Sequence, residues 1–125
     1  MVDATYVESS GVAVAGTDIG FNDVIKRDGV AVNLTGKTIK VASIRRMSAP
    51  NTVINAALED IAITSTGTLA SGEAEWTLQD TLSTHLTALT PTTPTQTTAF
   101  DLQYYIVQDD YYPQVHRFYA RRAAD

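Results

Sequence analysis

Between Gly72 and Gln79 the chain alternates without a break: Ala74, Trp76 and Leu78 fall on one side, and Glu73, Glu75, Thr77 and Gln79 on the other. A period of two is the spacing of a β-strand with one buried and one wet face. The same period returns near the C-terminus. Phe100, Leu102, Tyr104 and Ile106 alternate with Asp101, Gln103, Tyr105 and Val107, and Val115, Arg117 and Tyr119 then alternate with His116, Phe118 and Ala120. Between these runs Asp109-Asp110-Tyr111-Tyr112-Pro113 supplies turn residues, so the chain is expected to close with a hairpin.

The rest of the chain extends this pattern. Asp28-Gly29 separates the β-prone runs Phe21 to Lys26 and Val30 to Leu34, a strong hairpin signal because glycine accepts the positive φ of a tight turn. Thr35-Gly36 marks a second turn. The run from Lys37 to Arg46 reads as a long strand, with Ile39 and Val41 on one face and Ala42 and Ile44 on the other; this change of face predicts a bulge or a strand buried on both sides. Pro50 places Met47 to Asn51 in a loop, since it lacks an amide for a ladder. Thr52 to Leu58 and Ile61 to Thr64 are shorter strand candidates, with a helical turn as the alternative over Asn55 to Glu59. Asp80 is read as a helix N-cap, and Leu82, Leu86 and Leu89 follow at helical spacing, so one short helix is expected over 80–89. Thr90 to Thr98 carries two prolines among threonines and is expected to be extended.

The first residues are small and weakly patterned, with Gly11 to Gly16 the only strand-like run. Residues 1–18 are therefore expected to form an N-terminal arm or edge strand, and residues 19–125 a single domain. With about seven short strands and one helix, the fold expected is all-β: an immunoglobulin-like antiparallel β-sandwich.

At 125 residues and 44% hydrophobic composition, one core is attainable without staples. The absence of cysteine removes disulfides, thiolate nucleophiles and cysteine-ligated zinc. A net charge of −5 argues against nucleic-acid binding, which needs cations against phosphates. No basic-then-apolar leader opens the chain and no run approaches the length of a bilayer span, so neither secretion nor membrane insertion is expected.

Chemistry-bearing motifs are sparse. His85 and His116 have no partner at metal-ligand spacing and are read as polar surface or interface residues. No Gly-x-Ser-x-Gly elbow is present, and Glu73 and Glu75 lie side by side on one strand face rather than opposed as glycosidase carboxylates are. Asp101, Asp109 and Asp110 contain no calcium-loop pattern and are read as turn solvation. Gly36-Lys37-Thr38 copies the end of a phosphate-binding loop, but Ala31 stands where its first glycine belongs. No catalytic, cofactor-binding or metal-binding residue is assigned, and the expectation is a non-enzymatic protein without cofactor. Binding is assigned instead to the aromatic and basic C-terminal hairpin, with Tyr105, Tyr111, Tyr112, Arg117, Arg121 and Arg122 as candidate interface residues.

The run Asp28-Gly29-x-x-Val32-Asn33-Leu34-Thr35-Gly36-Lys37-Thr38-Ile39 resembles the signature of phage virion β-sandwiches of the baseplate upper protein N-terminal domain family. The similarity continues through Ser43-Ile44-Arg45-Arg46, Gly72-Glu73-Ala74-Glu75-Trp76-Thr77-Leu78 with Asp80-Thr81, and the hairpin of Tyr104-Tyr105-Ile106-Val107 with Tyr111-Tyr112-Pro113. It covers roughly Ile19 to Arg122. The resemblance implies a structural virion protein, made in the host cytoplasm, that binds other virion proteins such as major capsid or tail proteins. A capsid decoration (cement) protein, working as a homo-oligomer, is the expected role. A small tail, baseplate or head-tail connector component is the alternative, and a ligand- or carbohydrate-binding sandwich is the alternative from another class. Sugar binding would call for an exposed aromatic platform, whereas the alternation places Trp76 in the core.

Overall fold

The computed structural model describes residues 6–48, 54–113 and 115–123. The opening Met1 to Thr5 of the expected arm, most of the loop around Pro50 and the start of the strand expected from Thr52 lie outside the described residues. The strands are β1 (Tyr6–Val14), β2 (Ile19–Val24), β3 (Lys26–Arg27), β4 (Val30–Ala31), β5 (Ile39–Arg46), β6 (Glu59–Ala62), β7 (Glu73–Leu78), β8 (Thr98–Ile106) and β9 (Val115–Arg121), with one short helix, α1 (Asp80–Ser83). The chain is mostly β, in several sheets. Five strands form one sheet in the order β1-β9-β8-β5-β6, β2 pairs with β7, and β3 with β4.

The turn chemistry follows the sequence closely. Asp28 and Gly29 both adopt positive φ, 53° and 79°, as a two-residue mirror-image turn joining β3 to β4 requires. The register between β5 and β8 slips between Val41 and Ser43, the bulge expected from the change of face; Ile39, Val41 and Ile44 are thereby all buried. Asn55 caps a single 3₁₀ turn (Ala56–Leu58) by accepting from the Ala57 amide at 2.9 Å, so the helical-turn alternative holds there rather than a strand.

Two expectations are corrected. The sheets are not purely antiparallel: β1 is an edge strand running parallel to β9, with Tyr6 opposite Val115 and Val14 opposite Arg121. A short turn at Gly16 to Asp18 carries the chain from β1 to β2, which belongs to the other sheet, so the direction of β1 is not set by a hairpin. The helix expected over 80–89 is α-helical only to Ser83 and continues as a tighter 3₁₀ turn over Thr84–Leu89. Asp80 is its first residue and not its cap; the Asp80 amide donates to the Asp18 carboxylate at 2.8 Å, a partner 62 positions away. Ser83, buried, accepts from the Gly16 amide at 2.9 Å and so ties the helix to the β1–β2 turn.

One hydrophobic cluster fills the space between the five-stranded sheet and the β2–β7 pair. Phe21 stacks on Trp76 at 5.1 Å and meets Phe118 edge-on at 5.2 Å, and Phe118 stacks on Phe100 at 5.5 Å, so β2, β7, β8 and β9 interlock through their rings. Among the described residues no helix is long and apolar enough to cross a membrane.

Candidate functional site

The polar residues with the most constrained surroundings lie inside this cluster. β2 alternates as its neighbours do, burying Ile19, Phe21 and Asp23, and Ile25 just beyond it is buried too; the face that buries three apolar side chains therefore also buries a carboxylate, 2% exposed. A carboxylate out of water is costly unless its oxygens are bonded. Asp23 Oδ2 accepts the Tyr104 hydroxyl at 2.5 Å, and Oδ1 and Oδ2 lie 2.7 and 2.9 Å from His116 Nδ1. The chain of contacts continues both ways: the Trp76 indole N–H donates to the Tyr104 oxygen at 3.0 Å, and His116 Nε2 lies 2.6 Å from Ser9 Oγ. Five strands contribute, β7, β8, β2, β9 and β1 in that order.

The proton positions follow from the partners. An ionised carboxylate only accepts, so His116 Nδ1 carries a hydrogen toward Asp23; in the neutral ring Nε2 is then an acceptor, and Ser9 donates to it. Phe21 packs edge-on against the imidazole at 5.1 Å. Burial, and then the negative Asp23, hold the Tyr104 hydroxyl well above its ordinary pKa of 10.0. At its Trp76 end the network borders a cleft lined by Phe21, Ile63 and Gln79, and at its Ser9 end it borders another. Ser9 is half-buried and faces a cleft of about 460 Å³ between β1 and β2, lined among others by Gly11, Phe21, His116 and Tyr119.

His116, expected at the surface or an interface, is thus a buried residue, 6% exposed. Sequence reading missed the network, although it left one signal: Asp23 shares its strand face with Ile19, Phe21 and Ile25, and a carboxylate on a buried face needs a partner. Ser9, with a histidine partner 107 positions away, left no such signal.

The residues assigned to binding divide. Tyr105 and Tyr112 pack in a tilted pair with ring centroids 4.6 Å apart, and Tyr105 donates to Asp110 at 2.7 Å, a bond that raises the Tyr105 pKa. Tyr111 is instead in the core, 8% exposed, with the Arg27 guanidinium 4.5 Å from its ring centre. Arg117 grips Asp101 through two bonds of 2.8 and 3.1 Å. Arg121 donates to the Arg122 carbonyl at 3.2 Å, and Arg122 to the Thr87 carbonyl at 3.0 Å, which draws Arg122 against the 3₁₀ turn.

A further pattern appears only on folding. Glu8 pairs in register with Arg117, Arg117 with Asp101 and Asp101 with Arg45, and Arg45 reaches Glu59 at 3.0 Å. A row of alternating charge therefore crosses all five strands on the face away from the core. The three aspartates weighed for calcium turn to separate partners, Asp101 to Arg117, Asp109 to Lys37 and Asp110 to Tyr105. No group of three or more potential metal ligands occurs among the described residues.

Compared with protein-family models, with curated proteins and with solved structures, the chain finds no match in any of the three.

Proposed function

We propose that this chain is a structural module of a phage particle that works by binding neighbouring protein chains, most specifically as a capsid decoration protein. The observation that carries the binding role is β1. It is nine residues long, forms the outer edge of the five-stranded sheet and exposes Val12 by 50%. An edge strand presents backbone amides and carbonyls to whatever chain lies beside it, the basis of assembly by strand addition. The broad outer face of the same sheet is a poorer docking surface, because both arginines of the Glu8–Arg117–Asp101–Arg45–Glu59 row are already paired within the chain, Arg117 with Asp101 and Arg45 with Glu59.

The phage assignment rests on the motif resemblance, and the immunoglobulin-like reading of the fold belongs to the same proposal. Two sheets facing each other across one core support it, and the parallel pairing of β1 departs from it. Co-sedimentation with purified tailless heads, alongside light-scattering mass measurement of the free protein, tests the assignment. Stoichiometric retention on heads is the expected result. A protein that ignores heads and is retained on purified tails removes the decoration role and leaves the tail or connector role; one retained on neither removes the phage assignment.

A further inference from the structure

Ser9, His116 and Asp23 form a continuous hydrogen-bonded relay, with 2.6 Å between Ser9 Oγ and His116 Nε2 and 2.7 Å between His116 Nδ1 and the nearer Asp23 oxygen. The order is that of an activated serine: nucleophile, base, and an acid that fixes the tautomer of the base and stabilises its protonated form. We propose that Ser9 is a nucleophile for acyl transfer, taking small carboxylic esters as substrates, with His116 as its general base and Asp23 as the positioning residue. This inference is separate from the assembly role, since it uses the Ser9 side chain, the interior relay, the β1–β2 cleft and the Ser9–Gly11 bulge, whereas assembly uses the outer edge of β1 for strand addition.

Three features beyond the relay support it. The Asp23 carboxylate is fixed from a second side by Tyr104, itself held by Trp76, so the orientation of the imidazole rests on a rigid buried set. Ser9 lines the cleft of about 460 Å³, which has room for an acyl group of a few carbons beside Phe21 and Phe118. The register of β1 against β9 slips between Glu8 and Val12, so Ser9, Ser10 and Gly11 span a stretch where β9 advances only from Arg117 to Tyr119. A bulge leaves backbone groups outside the ladder, and here those groups adjoin the nucleophile, where an oxyanion forms; a side-chain carbon placed at Gly11 would meet nothing within 4 Å.

The chemistry balances with water as the second reactant. Ser9 Oγ bonds to the ester carbonyl carbon, the carbonyl electron pair moves to its oxygen, and His116 Nε2 takes the hydroxyl proton. The bond to the leaving oxygen then breaks as His116 returns that proton to it, releasing the alcohol and leaving acyl-Ser9. Water repeats the sequence, giving up a proton to His116 and releasing the acid and free Ser9.

The test is covalent labelling of the full chain with diisopropyl fluorophosphate, read by intact mass and by mapping the modified peptide. Ser9 Oγ bonds to phosphorus, fluoride leaves and the hydroxyl proton passes to His116. The expected result is one adduct per chain, on Ser9, formed by folded protein and not by urea-unfolded protein. It disappears in S9A and forms at least about 100-fold more slowly in H116Q, the loss usual for removing a general base. S9A changes only a half-buried hydroxyl, and circular dichroism checks that both variants are folded. Folded wild-type protein that takes no label, or takes it elsewhere, overturns the proposal, as does an H116Q protein that is folded and labels at the wild-type rate. Turnover of p-nitrophenyl acetate, lost in S9A, is the matching catalytic readout.

Discussion

Asp23, 2% exposed, shares a buried face with Ile19, Phe21 and Ile25 and receives hydrogen bonds from β8 and β9. Removing it strands a buried imidazole and a buried phenol together. D23A is expected to cost about 3 kcal/mol, within the range for breaking a buried bonded charge, read as a lower urea midpoint at unchanged slope. The Tyr104 hydroxyl carries a pH dependence whose sign is fixed by its raised pKa. Below the ordinary value of 10.0 it is protonated in folded and unfolded chains alike, and the stability it contributes is fully present. As pH rises past that value the unfolded chain releases the proton first, and stability falls toward the higher folded pKa. Urea midpoints between pH 9 and 12 are therefore expected to fall less steeply in Y104F than in the wild-type protein. Tyr105 and Tyr119, raised by their bonds to Asp110 and Glu8, push in the same direction from the surface and are unchanged in that comparison. Side-chain alternation was enough to place Trp76 and Tyr104 inside, but not to show that they touch. Hydrogen bonds linking residues 28, 81 and 93 positions apart depend on how two sheets face each other, which no local pattern encodes.

At the scale of elements, the features fixed by local backbone chemistry were legible. The Asp28-Gly29 turn, the bulge in β5 and the β8–β9 hairpin each follow from residues adjacent in sequence. The features missed depend on distant partners: the first amide of α1 is bonded by Asp18, and β1 lies parallel to β9, with Ala15 and Gly16 after it bonded to Arg121 and Ser83. Gly72 shows how local and distant constraints combine. It takes a φ of 78° to end a 3₁₀ turn, and a side-chain carbon there would sit 2.8 Å from the Ile25 carbonyl oxygen and 2.9 Å from that of Val32. Gly29 has a similar φ of 79° with open space around it. G29A is thus expected to cost about 1 kcal/mol, the left-handed penalty alone, and G72A about 3 kcal/mol because backbone must also move. Thermal unfolding of the two variants side by side separates the terms; equal losses would mean that the strand junction at Gly72 yields without resistance.

For the whole molecule, the question is which surface is left for a partner once the internal pairings are made. On the outer face of the large sheet Arg117 pairs with Asp101 and Arg45 with Glu59, Tyr111 is withdrawn into the core, and Arg122 is engaged within the chain. Among the described residues the outer side of β1 is one open edge of the large sheet, with Val12 half exposed and β9 its paired neighbour; β6 forms the other edge. Natural sheets block such edges with lysine, since a charge there must be desolvated before a second strand can pair. V12K therefore discriminates between a free edge and a binding edge. Its folding stability is expected to stay within about 0.5 kcal/mol of wild type, as for exposed positions generally, while self-association by light scattering and retention on heads both fall. If V12K assembles as the wild-type protein does, β1 is a closed edge, and the tilted Tyr105–Tyr112 pair at the β8–β9 turn becomes the surface through which the module binds.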